Sequence, residues 1–129
     1  MENKNFAVRI DEQGVVRMTL RGMIKKDAIE GLKAWTKECE EIIKSQFEKT
    51  GKKVLTILDL KDLGSEYDGE GIAILASFAK RNEAYTEKTA TFGANWTKKF
   101  AEDIVITLSG RKNIKAFSNE EEAVAWLNS

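Results

Sequence analysis

Apolar side chains at Phe6, Val8 and Ile10 alternate with Ala7 and Arg9, and after Asp11 to Gly14 the alternation resumes at Val16, Met18 and Leu20 against Arg17, Thr19 and Arg21. Period-two patterning on both sides of a glycine-containing turn predicts a β-hairpin with one buried face. From Asp27 the period lengthens: Ala28, Leu32, Trp35, Cys39, Ile42 and Phe47 recur at spacings of three to five over a background of lysine and glutamate. That stripe predicts a long amphipathic helix ending near Gly51.

Val54, Leu55, Ile57, Leu58 and Leu60 then form a short, nearly continuous apolar run, the pattern of a central strand covered on both faces. Ile72, Leu75, Phe78 and Ala79 share one helical face with Lys80, Arg81 and Glu83 on the other, and Thr89 to Phe92 reads as the next strand. Trp96, Phe100, Ile104 and Leu108 step by four, favouring a helix, although the β-branched run 104 to 107 leaves a strand open. A last strand, Ile114 to Phe117, leads to Ser118 and Glu121, spaced as a capping box, before a closing helix carrying Val124, Trp126 and Leu127.

The expected fold is α/β: one domain over residues 1–129, an N-terminal hairpin and then alternating helices and strands, giving a mixed five-stranded sheet with about four helices. Trp35, Leu58, Leu75, Phe78 and Trp126 lie on the apolar phase of their segments and are expected in the core.

Composition narrows the chemistry. Among 129 residues, 21 Lys and Arg balance 21 Asp and Glu, so no long-range field gathers nucleic acid or an anionic membrane. Histidine is absent, which removes Ser-His, Cys-His and His-zinc arrangements. The single cysteine, Cys39, cannot form an internal disulfide and sits on the apolar stripe, where it reads as packing. The start MENKNFAV has no apolar signal core and no run is long enough to span a bilayer, so a cytoplasmic setting is expected.

The stretch GSEYDGEGIAIL, from Gly64 to Leu75, is the one place where a ligand loop comes into question. Gly64 and Gly69 have P-loop spacing, but Glu70 stands where the lysine must be. A dinucleotide fingerprint fails at Ile74, which occupies the place of its third glycine. Asp59, Asp62, Glu66, Asp68 and Glu70 against the single Lys61 would repel a phosphate, and their spacing matches no metal-binding loop. No catalytic residue, cofactor or metal site is expected. Locally, Asp68 is placed to cap the following helix and Glu70 to favour its first turn.

The hairpin, the strand ending ILDLKDL, the glycine-containing helix start and the terminal IKAFSNEEEAVAWL together resemble the STAS superfamily, in its SpoIIAA-like branch. The resemblance covers nearly the whole chain and implies a regulatory fold without a reaction. In anti-sigma-factor antagonists of that superfamily a D-S-S-G-type sequence at this helix start carries a serine phosphorylated by a partner kinase. The matching positions here are Asp68, Gly69, Glu70 and Gly71, so Gly69 and Glu70 replace the two serines and Glu70 places a permanent charge where the family has a removable one.

Two functions follow as expectations. In the first, a non-enzymatic regulatory domain binds a protein partner through residues 64 to 75, with Tyr67, Asp68, Gly69, Glu70 and Gly71 at the contact. In the second, a small apolar or lipid-like ligand is held between helices and sheet, with Trp35, Trp96 and Phe100 lining the pocket. No nucleic acid partner and no membrane span are expected, and the charge content is compatible with a homodimer.

Overall fold

The computed structural model describes residues 6–93 and 105–129. Strands β1 (Phe6–Ile10) and β2 (Val16–Leu20) form the antiparallel hairpin, Phe6 facing Leu20 and Ile10 facing Val16. Its turn is closed by Asp11, whose Oδ1 accepts the amides of Gln13 and Val15 at 2.9 and 3.0 Å. A short strand β3 (Gly22–Ile24) and a 3-10 turn precede helix α1 (Ile29–Thr50), which stops where Gly51 takes a φ of 71° and returns its amide to the Phe47 carbonyl at 2.8 Å.

Strand β4 (Val54–Asp59) continues into β5 (Leu63–Tyr67), then helix α2 (Gly69–Arg81), strand β6 (Thr86–Phe92), the helical residues 105–109 (α3), strand β7 (Ile114–Phe117) and helix α4 (Glu120–Leu127). The main sheet has the order β1-β2-β4-β6-β7, and every pairing after the hairpin is parallel. This is the expected mixed five-stranded sheet, with β4 at its centre.

The alternation along the inner strands sorts the core into two layers. Val16 and Met18 on β2 share a face with α1, whose buried stripe is Ile29, Leu32, Trp35, Thr36, Cys39 and Ile43. Ile43, rather than Ile42, is the deeply buried residue where that stripe ends. On the opposite face Ile57, Ala90 and Phe92 pack against Ala123 and Leu127 of α4. Burial on both faces explains why β4 reads as an unbroken apolar run.

Several expectations change. A second, two-stranded parallel sheet of β3 and β5 occupies residues read as loop, because Gly22 and Gly64 break the alternation on which strand detection depends. The cap of α4 is Asn119, not Ser118: Asn119 Oδ1 accepts the Glu122 amide at 2.9 Å, shifting the capping pair by one residue. Residues 105–109 are helical, as the spacing by four favoured, but Leu108 is 62% exposed and leaves the core. Trp96, Phe100 and Ile104 lie outside the described residues. Trp35 and Phe78 are buried as expected, whereas Leu58, Leu75 and Trp126 are only half-buried. Trp126 lies at the rim, tilted against Phe117 at a ring-centre distance of 5.6 Å, with Lys88 Nζ 5.1 Å from its ring centre. Leu58 and Leu75 line a cavity.

Candidate functional site

The first candidate surface is the start of α2. The β3–β5 pair fixes its position: Gly22 pairs with Leu63 and Ile24 with Tyr67, and the Asp68 amide then donates to the Ile24 carbonyl at 2.7 Å. Asp68 has the extended backbone of an N-cap, φ −92° and ψ 151°, and its carbonyl accepts the Ile72 amide at 3.1 Å. Its carboxylate accepts no capping hydrogen bond, so the expected side-chain cap is not formed. Gly71 is buried where a Cβ would overlap Ile24 Cγ2, so the helix can approach β3 only with glycine at this position. Gly69 and Glu70 face outward.

Tyr67, Asp68, Gly69, Glu70 and Gly71 are thus consecutive at the strand-to-helix junction, Tyr67 as the last residue of β5. The surroundings of Glu70 are not the uniformly acidic patch that its neighbours in sequence suggest. Its Oε2 lies 4.0 Å from Lys33 Nζ of α1, which is itself 3.7 Å from Glu30. The reason is tertiary: α1 packs beside α2 and lays Lys33, Lys37 and Glu40 along a groove shared with Glu70, Ser77 and Arg81. Arg81 closes the far end by an ion pair to Glu40 at 2.5 Å and a hydrogen bond to Ser77 at 3.1 Å.

The second candidate is a cavity of about 100 Å³ between α2 and the sheet. Met18 and Leu20 of β2, Leu58 of β4 and Ile72, Leu75 and Phe78 of α2 form apolar walls, with Trp35 at one side. Trp35 is the one residue of the anticipated aromatic lining that the described structure places here. It is held by Phe6 and Phe78, at ring-centre distances of 6.0 and 5.8 Å, and by its Nε1 donating to the Ala7 carbonyl. Trp96 and Phe100 lie outside the described residues.

Threonines make the remaining wall. Thr56 on β4 and Thr89 and Thr91 on β6 project to the cavity side, and the Thr56 and Thr89 hydroxyls share a hydrogen bond of 2.7 Å. Arg111, 5% exposed, lies beside them and donates from Nη2 to the Thr86 and Thr89 hydroxyls at 2.8 and 2.9 Å and from Nε to Asn113 Oδ1 at 2.9 Å. Burial pushes its guanidinium down to about 10, opposed by the nearby charge of Glu83, so it stays cationic at neutral pH. Nothing in hydropathy singled out Arg111, in the polar run Ser109 to Asn113. The available signal was Thr56 within the apolar run of β4 and the alternation of Thr89 and Thr91 with Ala90 and Phe92 on β6, since inward-facing hydroxyls require partners.

Cys39 is fully buried in the α1 layer, and burial, reinforced by Glu38 and Glu40, raises its thiol pKa far above the ordinary range. A thiol so placed is packing and not a nucleophile. Among the described residues no group of three or more acidic or cysteine side chains is placed to hold a metal ion, and no helix is long and apolar enough to cross a membrane.

The fold is that of solved SpoIIAA-like proteins. The anti-sigma factor antagonist SpoIIAA in its unphosphorylated form superposes with a TM-score of 0.61 at 18% identity, over 96% of this chain and 98% of that one. A DUF3478-family protein with a SpoIIAA-like fold from Shewanella loihica PV-4 gives a TM-score of 0.61 at 10% identity, covering 95% and 91%. An anti-sigma factor antagonist assigned in Thermotoga maritima gives 0.60 at 15%, covering 96% and 95%. No protein-family profile matches the chain, and no curated protein matches it.

Proposed function

We propose that this chain is a non-enzymatic regulatory domain that docks a protein partner on the start of α2 and the adjoining α1–α2 groove. The observation that carries the reading is the exposed Glu70, fixed in the first turn of a helix whose entry is pinned to β3 through Ile24 and set across from Lys33. A pinned junction presents the same charges to every partner at little ordering cost, which is what a recognition surface needs. Structural neighbours of this fold include anti-sigma factor antagonists, and the partner class most in keeping with them is a protein of anti-sigma-factor type.

The resemblance at Asp68, Gly69, Glu70 and Gly71 gives the surface its character. Without a serine at either of the two middle positions, docking has no phosphorylation switch there, and Glu70 supplies a constant negative charge. Charges at such a surface set partner choice and association rate, so reversing one costs affinity through repulsion.

The test is quantitative capture from the source lysate by wild type and by Glu70→Lys, with thermal unfolding of both. The reading requires at least one protein retained by wild type and depleted at least tenfold by the variant, with unchanged unfolding. Identical capture by two equally stable proteins would refute it.

A further inference from the structure

Asp68 and Gly69 form the one place in the chain where an aspartate or asparagine precedes glycine. Such a pair carries its own electrophile and nucleophile, because one bond from the main-chain nitrogen of the second residue to the side-chain carboxyl carbon of the first closes a five-membered ring. Three things ordinarily hold that reaction back: a side chain on the second residue, a carboxylate engaged elsewhere, and an amide committed to a hydrogen bond.

All three are missing here. Gly69 is exposed, and a Cβ built on it would have nothing within 4 Å. The Asp68 carboxylate accepts no capping hydrogen bond, and among the described residues no ion pair holds it. Gly69 is the first residue of α2, where an N–H has no acceptor within the helix. The other described aspartates differ. Asp11 accepts the amides of Gln13 and Val15 and the Arg17 side chain, Asp59 accepts the Lys61 amide, and Asp11, Asp27, Asp59 and Asp62 all precede residues that carry a side chain.

We propose that the Asp68-Gly69 peptide is a self-modifying site, at which the chain isomerises through a succinimide to isoaspartate. The Gly69 nitrogen gives up its proton and bonds to Asp68 Cγ, and a carboxyl oxygen leaves as water. Water then adds to one of the two ring carbonyls and breaks its bond to nitrogen. Addition at Cγ restores aspartate; addition at the main-chain carbonyl leaves Gly69 joined through Cγ, with one extra carbon in the backbone and a free carboxylate on Cα. Water is released and taken up again, so no other reactant is needed.

The junction itself sets the rate. Asp68 is held at φ −92° and ψ 151° with its amide on the Ile24 carbonyl at 2.7 Å and its carbonyl on the Ile72 amide at 3.1 Å. Bringing the Gly69 nitrogen to Cγ requires rotation about that ψ, which opens the bond to Ile72 and with it the first turn of α2. Helix ends open locally at small cost, so the reaction proceeds from the frayed turn. The added backbone carbon then breaks the register between the Ile24-bound Asp68 amide and Gly71, which packs on Ile24. This chemistry does not depend on the docking proposed above.

Peptide mapping by mass spectrometry after incubation in oxygen-18 water at neutral pH tests the site, using wild type, Gly69→Ala and Gly71→Ala. Isoaspartate should accumulate at residue 68, carrying oxygen-18, at least tenfold above Asp27, whose neighbour is Ala28. Gly69→Ala should slow it at least tenfold, and should do so in urea as well, where a firmer helix start plays no part. Gly71→Ala, which keeps the Asp68-Gly69 bond and disturbs the packing on Ile24, should speed it severalfold in the folded protein and leave the rate in urea unchanged. Residue 68 isomerising no faster than Asp27, a rate in urea indifferent to Gly69→Ala, or isoaspartate without the label would each overturn the proposal.

Discussion

The indole nitrogen of Trp35 on α1 donates to the main-chain carbonyl of Ala7 on β1 at 2.9 Å, so one side chain ties the long helix to the edge of the sheet. The same ring packs between Phe6 and Phe78 and joins α1, β1 and α2. Trp35→Phe keeps most of the packing and removes the donor, which should cost about 1 to 3 kcal/mol through the carbonyl left unpaired. Trp35→Ala should cost about 3 to 5 kcal/mol. Urea unfolding of the two variants measures both, and a Trp35→Phe variant as stable as wild type would mean that the hydrogen bond contributes nothing.

Two glycines in the proposed contact surface should respond in opposite ways. Gly71→Ala puts a methyl group onto Ile24 and should destabilise by about 1 to 3 kcal/mol. Gly69 has open space around its Cβ position and lies in the first turn of α2, so Gly69→Ala should stabilise by about 0.4 to 1 kcal/mol. Thermal unfolding of the pair checks the geometry of the junction independently of any partner.

At the entry to α4, Asn119→Ala should cost about 0.5 to 2 kcal/mol by removing the acceptor of the Glu122 amide. Ser118→Ala should cost less, since Ser118 lies before the cap and is exposed. The reverse order in chemical denaturation would restore Ser118 as the cap.

Stability should also depend on pH through Asp11. Burial pushes its carboxyl pKa up, but the Arg17 side chain and the amides of Val15 and Gln13 outweigh this and hold it below the ordinary value. A depressed folded pKa gives a stabilisation present in full above the unfolded value, about 3.9, and lost as pH falls through the folded one. Asp11→Asn should therefore lie below wild type in Tm at pH 7, with the gap closing as pH falls below the unfolded value. A gap that stays constant with pH would show that the charge on Asp11 is not the stabilising feature.

These sites show where the sequence was informative. Helix α1 and strand β4 were legible because α1 buries one face at helical period, as the stripe from Leu32 to Cys39 illustrates, and β4 is a short continuous apolar run covered on both faces. The small β3–β5 sheet was not, because Gly22, Gly64 and Ser65 carry no alternation and the strands are specified by pairing between distant segments. For the candidate surface, the sequence placed residues 67–71 together at the helix start, but Lys33 and Lys37 arrive from α1 through packing that no local pattern encodes. Arg111 was hidden for a related reason. A charged residue in a polar turn reads as solvated, and only the threonines facing it across the fold make it a core group.

The central claim concerns the location of docking, and hydrogen exchange of the chain with and without a captured partner tests it most directly. The account predicts added amide protection in residues 68–74 and along the Lys33-to-Glu40 side of α1, with the β7–α4 face unchanged. Protection centred on β7 and α4, with residues 68–74 exchanging as in the free protein, would contradict it.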